Sequence, residues 1–279
     1  MSQSLSDFFF AYGSLIYSLG INAILGLSMY VVLAVGQLSL GQAAFMGIGA
    51  YTGAILSTKL GLAFPLVLAA STLSPAIVAY VIGVPTLRLT GIYLAIATIG
   101  LGEVLRVAYI NTPFLGGAMG ISNIPQESNG WEIFGLLALI LIALVLANRS
   151  KIGRAVAAIR EDEDAAAVMG IDVAKYKMRA LAISAAMAGL AGALDAHYSY
   201  FIGPGEYGFE TAVSILSYAV LGGVTTPLGP VFGAFLLTAL PEVLRPLHDF
   251  RLVFNGLIIV LVVIFLPKGV LGFRIKRTG

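Results

Sequence analysis

Residues 8–58 carry no charged side chain; after Asp7 the next charge is Lys59. A soluble fold must offer water a polar face every turn or two, and so long an uncharged stretch offers only scattered neutral polar groups. Its solvent is lipid. The hydrocarbon core of a bilayer takes about 20 apolar residues of helix, and backbone exposed to lipid has to satisfy its own N–H and C=O groups. The stretch therefore reads as successive helical spans. The rest of the 279-residue chain agrees: 59% of residues are apolar, 11% are charged, and the mean hydropathy is +0.96, outside the range of soluble domains.

Hydropathy places spans at 12–35, 40–58, 63–84, 90–110, 131–148, 180–200, 211–224, 228–246 and 251–267. The expected fold is an all-α integral membrane bundle of about nine transmembrane helices, eight to ten, in a single domain over residues 1–279. The 211–224 span is the shortest, and a re-entrant 211–224 would change the count. Twelve of the 30 charged residues fall between Arg149 and Arg179. Basic residues are retained on the cytoplasmic side, so the 149–179 loop is expected inside. Arg88, the seven basic residues of that loop, Lys268, Arg274, Lys276 and Arg277 then lie inside, against Lys59, Arg245 and Arg251 outside. That bias predicts the N-terminus outside, the C-terminus in the cytoplasm and an odd number of spans.

Several functions are disfavoured at once. The net charge of +2 is small, and its basic residues sit where topology puts them, leaving no nucleic-acid footprint. With no cysteine there is no thiol chemistry and no cysteine-ligated zinc. Met1–Ser6 lacks the basic start and the small-residue cleavage site of a secretory signal, so the first span is expected to stay in the mature protein. No G-x-x-x-x-G-K-[ST] phosphate loop occurs, so ATP hydrolysis by this chain is not expected.

Small residues recur at helical spacing in Gly49-x-x-x-Gly53, Ala185-x-x-x-Gly189-x-x-x-Ala193 and Gly229-x-x-x-Gly233. Lipid gives helices no hydrophobic drive to associate, so these are seams where backbones approach closely, inside the bundle or between subunits. Pro85, Gly222-Gly223 and Pro227 to Pro230 interrupt hydrophobic runs, an arrangement frequent in transporters, where protein or a watery cavity satisfies the freed backbone.

The 149–179 loop holds the most informative pattern. Ile152, Val156 and Ile159 recur at helical spacing, which predicts a short amphipathic helix after the fifth span. Glu161-Asp162-Glu163-Asp164 then precedes Ala165-Ala166-Ala167-Val168-Met169 and Gly170. Acidic residues suit the positive end of a helix dipole and glycine supplies a left-handed stop, so a second helix of about two turns is expected at the membrane face. Its alanine face can dock in a partner's groove, or the segment is an ordinary capped connector. Within the spans, Glu103 and Arg106 are three apart on one helical face and can pair, as a structural ion pair or in gating. Gln37, Ser39 and Gln42 flank the second span and can bind a polar substrate or bond between helices. His197 and Asp195 do not share a face, and metal chemistry is not expected of them. Tyr198, Tyr200, Phe201 and Tyr207 read as an interfacial aromatic belt.

Asp164-Ala165-Ala166-x-x-x-Gly170 resembles the EAA loop of ABC-transporter permeases, with Asp in place of the usual Glu. Further segments, in order along most of the chain, are Gly36-Gln37-Leu38-Ser39-Leu40-Gly41-Gln42, Thr90-Gly91-Ile92-Tyr93-Leu94-Ala95, Gly120-Ile121 with Ile124-Pro125, Arg160-Glu161-Asp162-Glu163, Ala191-Gly192-Ala193-Leu194, Leu221-Gly222-Gly223 with Gly229-Pro230, and Pro267-Lys268-Gly269. Together they resemble the LivM-type permeases of branched-chain amino-acid ABC importers; Asp195 departs from the family's usual apolar or aromatic residue. The resemblance implies a transmembrane permease domain in a bacterial-type plasma (inner) membrane. It implies four kinds of neighbour: a second homologous permease subunit, two cytoplasmic ATPase subunits that bind the ATP, an extracytoplasmic substrate-binding protein and the lipid bilayer. No cofactor of its own and no enzyme activity are implied.

It also implies roles. Arg160, Glu161, Glu163, Asp164, Ala165, Ala166 and Gly170 would couple to the ATPases, so Gly170→Arg or a charge at Ala166 is expected to uncouple hydrolysis from transport. Gln37, Ser39, Gln42, Thr90, Tyr93, Glu103 and Arg106 are the candidates for the translocation path or its gates. The cargo would be a branched-chain (hydrophobic) amino acid, with urea or a short amide as the nearest alternative. A stand-alone channel or secondary transporter would want several midplane acids, and only Glu103 qualifies.

Overall fold

The uncharged stretch folds as two long helices. In the computed structural model, which describes residues 2–86, 89 and 91–243, with side chains described from Gly13 to Glu242, α1 runs over Ser2–Ala34 and α2 over Gln42–Leu60. α3 (Phe64–Thr86), α4 (Ile92–Asn111) and α5 (Gly130–Arg149) follow. α6 (Lys151–Glu161) and α7 (Glu163–Val168) are short. α8 (Val173–Ser199) is long again, and α9 (Phe209–Gly222) and α10 (Leu228–Val243) close the described part. Among the described residues, five helices are long and apolar enough to cross a membrane by length and composition: α3, α4, α5, α8 and the Gly13–Ala34 part of α1. The expected ninth span, 251–267, lies outside the described residues.

Position in the bundle follows from side-chain size and polarity. The apolar window of α8 is 78% buried and that of α1 67%, against 11% for α5. α8 packs on α1, α2 and α3 through its small residues. A Cβ added at Gly49 of α2 would lie 2.2 Å from the Gly189 carbonyl oxygen, and one at Gly192 would lie 2.1 Å from that of Met46. The Gly49 and Ala185–Ala193 motifs are thus seams inside the bundle, where backbone touches backbone. Gly222 and Gly229 likewise bring the ends of α9 and α10 together. Conversely Leu66, Leu73 and Ile77 of α3, and Leu139, Ile142 and Leu146 of α5, are exposed, as lipid-facing residues should be.

The connections gather at two ends. At one end the 35–41 connection meets α6 and α7, and α6 meets the α9–α10 turn. At the other, Lys59 Nζ donates to the Phe114 carbonyl oxygen at 2.7 Å, and the α4–α5 connection pairs with the one after α8. That pairing is a two-stranded antiparallel clip, β1 (Ile121–Ser122) against β2 (Phe201–Ile202). The bundle is therefore not purely helical; strands of two residues leave no periodicity in a sequence.

α8 begins at Val173, ahead of the expected 180, and α1 at Ser2, ahead of 12. Hydropathy reports where lipid begins, whereas a helix continues into water wherever its end is capped. Asp172 does this for α8: its carboxylate accepts from the Lys175 backbone N–H at 3.1 Å.

Candidate functional site

Ser150 breaks the fifth span from the surface helix after it. Its hydroxyl accepts from the Ile152 N–H at 3.1 Å and donates to the Ala147 carbonyl at 2.7 Å, giving α6 its own N-cap. Of the three apolar residues expected to form the inward stripe of α6, Ile159 is fully buried, Val156 is partly covered and Ile152 is exposed. Asp162 then ends α6 and caps α7, accepting from the Asp164 and Ala165 N–H groups at 2.9 and 3.0 Å. Gly170, at φ +84°, supplies the left-handed stop, with its N–H bonded to the Ala167 carbonyl. The acidic start and glycine end expected of the second helix are both in place.

Three contacts seat this segment on the bundle. Glu163 forms an ion pair with Lys177 of α8 at 2.5 Å. Arg160 Nη1 donates to the Val224 carbonyl oxygen in the α9–α10 turn at 3.0 Å. A Cβ placed on Gly36 would stand 3.9 Å from the Arg160 Cα and 3.9 Å from the Glu163 Oε1, so the α1–α2 connection passes beside both. A cleft of about 240 Å³ beside Arg160 is lined by Tyr30, Asn148, Glu161, Val224 and Thr225 among others, and Asn148 donates to the Tyr30 hydroxyl at 2.6 Å. The ion pair thus ties α7 to α8, and the Arg160 hydrogen bond ties the end of α6 to the α9–α10 turn.

One expected coupling residue is placed differently. Ala166 is 3% exposed and faces inward, while Ala165 and Ala167 are exposed. The apolar surface offered to solvent is Val168 and Met169, 87% and 81% exposed. The difference is rotational: on a two-turn helix only one alanine can face the bundle, and which one depends on the Asp162 cap. Arg160, Glu161, Asp164, Ala165 and Gly170 are exposed and Glu163 is half-buried. Lys177 and the Val224 carbonyl were not among the candidates, because their contacts span 14 and 64 residues.

The candidates for the path do not form one cluster. Gln37, Ser39 and Gln42 are buried at the α1–α2 connection. Gln42 donates to the Ser184 hydroxyl of α8 at 3.2 Å and the Ser39 hydroxyl accepts from the Gly41 N–H at 3.3 Å; these are bonds within the bundle. Tyr93 is 69% exposed near the start of α4, and Thr90 lies outside the described residues. Glu103 and Arg106 pair at 2.8 Å, as their spacing predicts, and sit against Gly208 at the N-cap of α9. His197 is buried and its Nδ1 bonds the Ala193 carbonyl at 2.8 Å. Tyr207 is no belt residue: it is fully buried, with its ring edge-on to Tyr51, which stacks on Tyr109. Among the described residues there is no group of three or more metal-binding side chains.

Against known families, residues 11–266 match the model described as the permease component of the branched-chain amino acid transport system. The high-affinity branched-chain amino acid transport system permease protein LivM of Escherichia coli K12 is 35% identical over 292 residues, covering 92% of this chain and 67% of that protein. LivH of the same organism and transport system is 31% identical over 138 residues, 48% of this chain and 44% of LivH. The autoinducer 2 import system permease protein LsrC of Yersinia pseudotuberculosis is 28% identical over 199 residues, 63% of this chain and 55% of LsrC. No solved structure matches.

Proposed function

The chain belongs to the family of permease components of branched-chain amino acid transport systems, and from that premise we propose that it is one transmembrane subunit of an ATP-binding-cassette importer. It moves branched-chain, hydrophobic amino acids inward by alternating access, with hydrolysis in two cytoplasmic ATPase subunits. An extracytoplasmic binding protein delivers the cargo, and a second permease of the same family completes the pore. The similarity to both LivM and LivH of one E. coli system supports a pair of unlike but related permeases.

The observation that carries the reading is α7. A capped two-turn helix that presents Val168 and Met169 to solvent, tied to α8 by an ion pair and joined through Asp162 to α6, whose Arg160 bonds the α9–α10 turn, suits a part that receives motion from outside the bundle. The end bearing α7 is then cytoplasmic and the β1–β2 clip extracytoplasmic. With 251–267 as a further span, the chain has nine spans, its N-terminus outside and its C-terminus inside.

Reconstitution tests this. Uptake of leucine into proteoliposomes should need the ATPases, ATP and the binding protein. Uptake by this chain alone under a proton gradient would overturn the reading. Tight binding of urea or a short amide, without leucine, by the cognate binding protein would reassign the cargo.

A further inference from the structure

Beside α6 the bundle leaves a slot of about 170 Å³ between α5 and α8. α5 and α8 both pack on α1, and α6 closes the slot at one end. Ser150 breaks the chain there, and Gly153 lets α6 fold back onto α5: a Cβ on Gly153 would lie 2.2 Å from the Asn148 carbonyl oxygen. Val31, Leu144 and Ile183 give the slot an apolar wall from α1, α5 and α8. Ile152 and Ile183, both on its lining, are 57% and 51% exposed. Along α8 the lining residues Tyr176, Arg179 and Ile183 share one helical face. At 1.5 Å per residue the slot runs about 10 Å from a polar mouth to an apolar floor.

At the mouth stands Arg179. Lys175 is held by Asp172 and Lys177 by Glu163, whereas Arg179 forms no ion pair or hydrogen bond among the described residues. Asp172 feels its charge electrostatically but is already bonded to Lys175. Arg149, Lys151 and Arg154 are exposed at the same end of the bundle. A guanidinium presents paired N–H donors that match phosphate oxygens, and Tyr176 adds a second polar side chain to the same lining. An apolar slot opening on a basic rim at the end of a membrane bundle has the two-part chemistry of a phospholipid.

We infer that this slot binds an anionic phospholipid, with an acyl chain against Val31, Leu144 and Ile183 and the headgroup phosphate on Arg179. A zwitterionic lipid offers a phosphate too, but it brings an ammonium among Arg149, Lys151 and Arg154, where like charges repel. A lipid seated there joins α5 to α8 and steadies α6, the helix that Asp162 links to α7. On the proposed topology the site lies in the cytoplasmic leaflet, whose anionic lipids attract basic segments. It needs only a bilayer around the helices, and so stands or falls apart from what the importer carries.

Native mass spectrometry of the delipidated full chain, titrated with dioleoyl phosphatidylglycerol or dioleoyl phosphatidylcholine, tests the site. The first phosphatidylglycerol should bind roughly ten-fold more tightly than the first phosphatidylcholine. Arg179→Gln should erase the difference, and Arg179→Lys should keep part of it. Ile183→Trp, which fills the slot, should weaken the first phosphatidylglycerol roughly ten-fold, while Leu139→Trp on the exposed face of α5 leaves it unchanged. Glycerol phosphate, the anion without a chain, should not compete. The chain has no cysteine, so benzophenone maleimide on I183C reports the occupant. Irradiation in bilayers containing phosphatidylglycerol should yield a lipid adduct that Arg179→Gln diminishes. Equal affinity for the two lipids would overturn the proposal, as would a preference that survives Arg179→Gln. Adducts from I183C to residues 244–279 of this chain or to a second protein, in place of lipid, would overturn it equally.

Discussion

Arg160 Nη1 and the Val224 carbonyl oxygen meet at 3.0 Å across 64 residues of sequence, joining the end of α6 to the turn between α9 and α10. Removing a charge-assisted hydrogen bond costs about 1.5–3 kcal/mol where it is shielded and less where, as here, the donor is exposed. The fold should therefore survive Arg160→Ala. What suffers is transmission: the number of ATP molecules hydrolysed per substrate transported should rise several-fold, with Arg160→Lys, which keeps one donor, restoring part of the coupling. An unchanged ratio in proteoliposomes would remove Arg160 from the coupling route.

On the proposed reading, Val168 and Met169, exposed at the end of α7 and its C-cap, are the apolar side chains offered to the ATPases. Burying each on docking contributes about 1.5–3 kcal/mol, so Val168→Asp or Met169→Asp should weaken retention of the ATPases by roughly ten-fold or more while leaving the thermal unfolding of the isolated permease in place. Ala166→Glu should behave differently, because Ala166 is buried and a charge there must unseat the helix. Its signature is faster amide exchange over 163–169 in the permease alone. If Ala166→Glu and Val168→Asp give the same exchange pattern, the two faces of α7 have been misassigned.

Gly49 and Gly100 make a contrasting pair. A methyl at Gly49 would collide with backbone of Gly189, whereas one at Gly100 meets open space. Overpacking a seam costs typically about 1–3 kcal/mol, and backbone contact leaves no flexible side chain to yield. Gly49→Ala should thus lower the unfolding temperature of the detergent-solubilised chain by several degrees, and Gly100→Ala should leave it unchanged. Differential scanning fluorimetry decides between them; equal effects would mean that the α2–α8 seam is not the tight one.

Much of this architecture was legible in advance because membrane helices announce themselves through composition. The centres of eight expected spans fall within described helices, and the Ser150 break, the acidic start of α7 and the Gly170 stop are all local signals a single chain segment carries. What was not legible depends on rotation and distance. The alanine triplet could not say that Ala166 turns inward, nor could Tyr207, read as belt, reveal that the loop after α8 tucks it beneath Tyr51. Glu163 finds Lys177 and Arg160 finds Val224 only after α8 and the α9–α10 turn have been brought beside α6. Sequence periodicity describes a helix's faces, and only packing chooses which face meets what.

Asp172 offers a prediction with a sign. Its side chain bonds Lys175 twice, through the ammonium at 2.8 Å and the backbone N–H at 3.1 Å, and the charged hydrogen bond from Lys175 chiefly holds its carboxyl below the ordinary carboxylate value. Both contacts favour the ionised form, so the folded state binds its proton less readily than the unfolded chain does. The cap's contribution is therefore fully present above the ordinary carboxylate range and is lost as pH falls through the lowered folded value. Amide exchange at Lys175 and Tyr176, corrected for intrinsic rates, should show the first turn of α8 protected near neutrality and fraying as the buffer is taken into the acid range. Asp172→Asn keeps a cap without a titrating group, so its protection should be insensitive to pH across that window, and Asp172→Ala should fray at every pH. Because Lys177 lies in the next turn and holds Glu163, fraying should also loosen α7, and transport coupling should decline over the same acid range in the unaltered protein but not in Asp172→Asn. Identical pH profiles for the two would separate the cap from the coupling route.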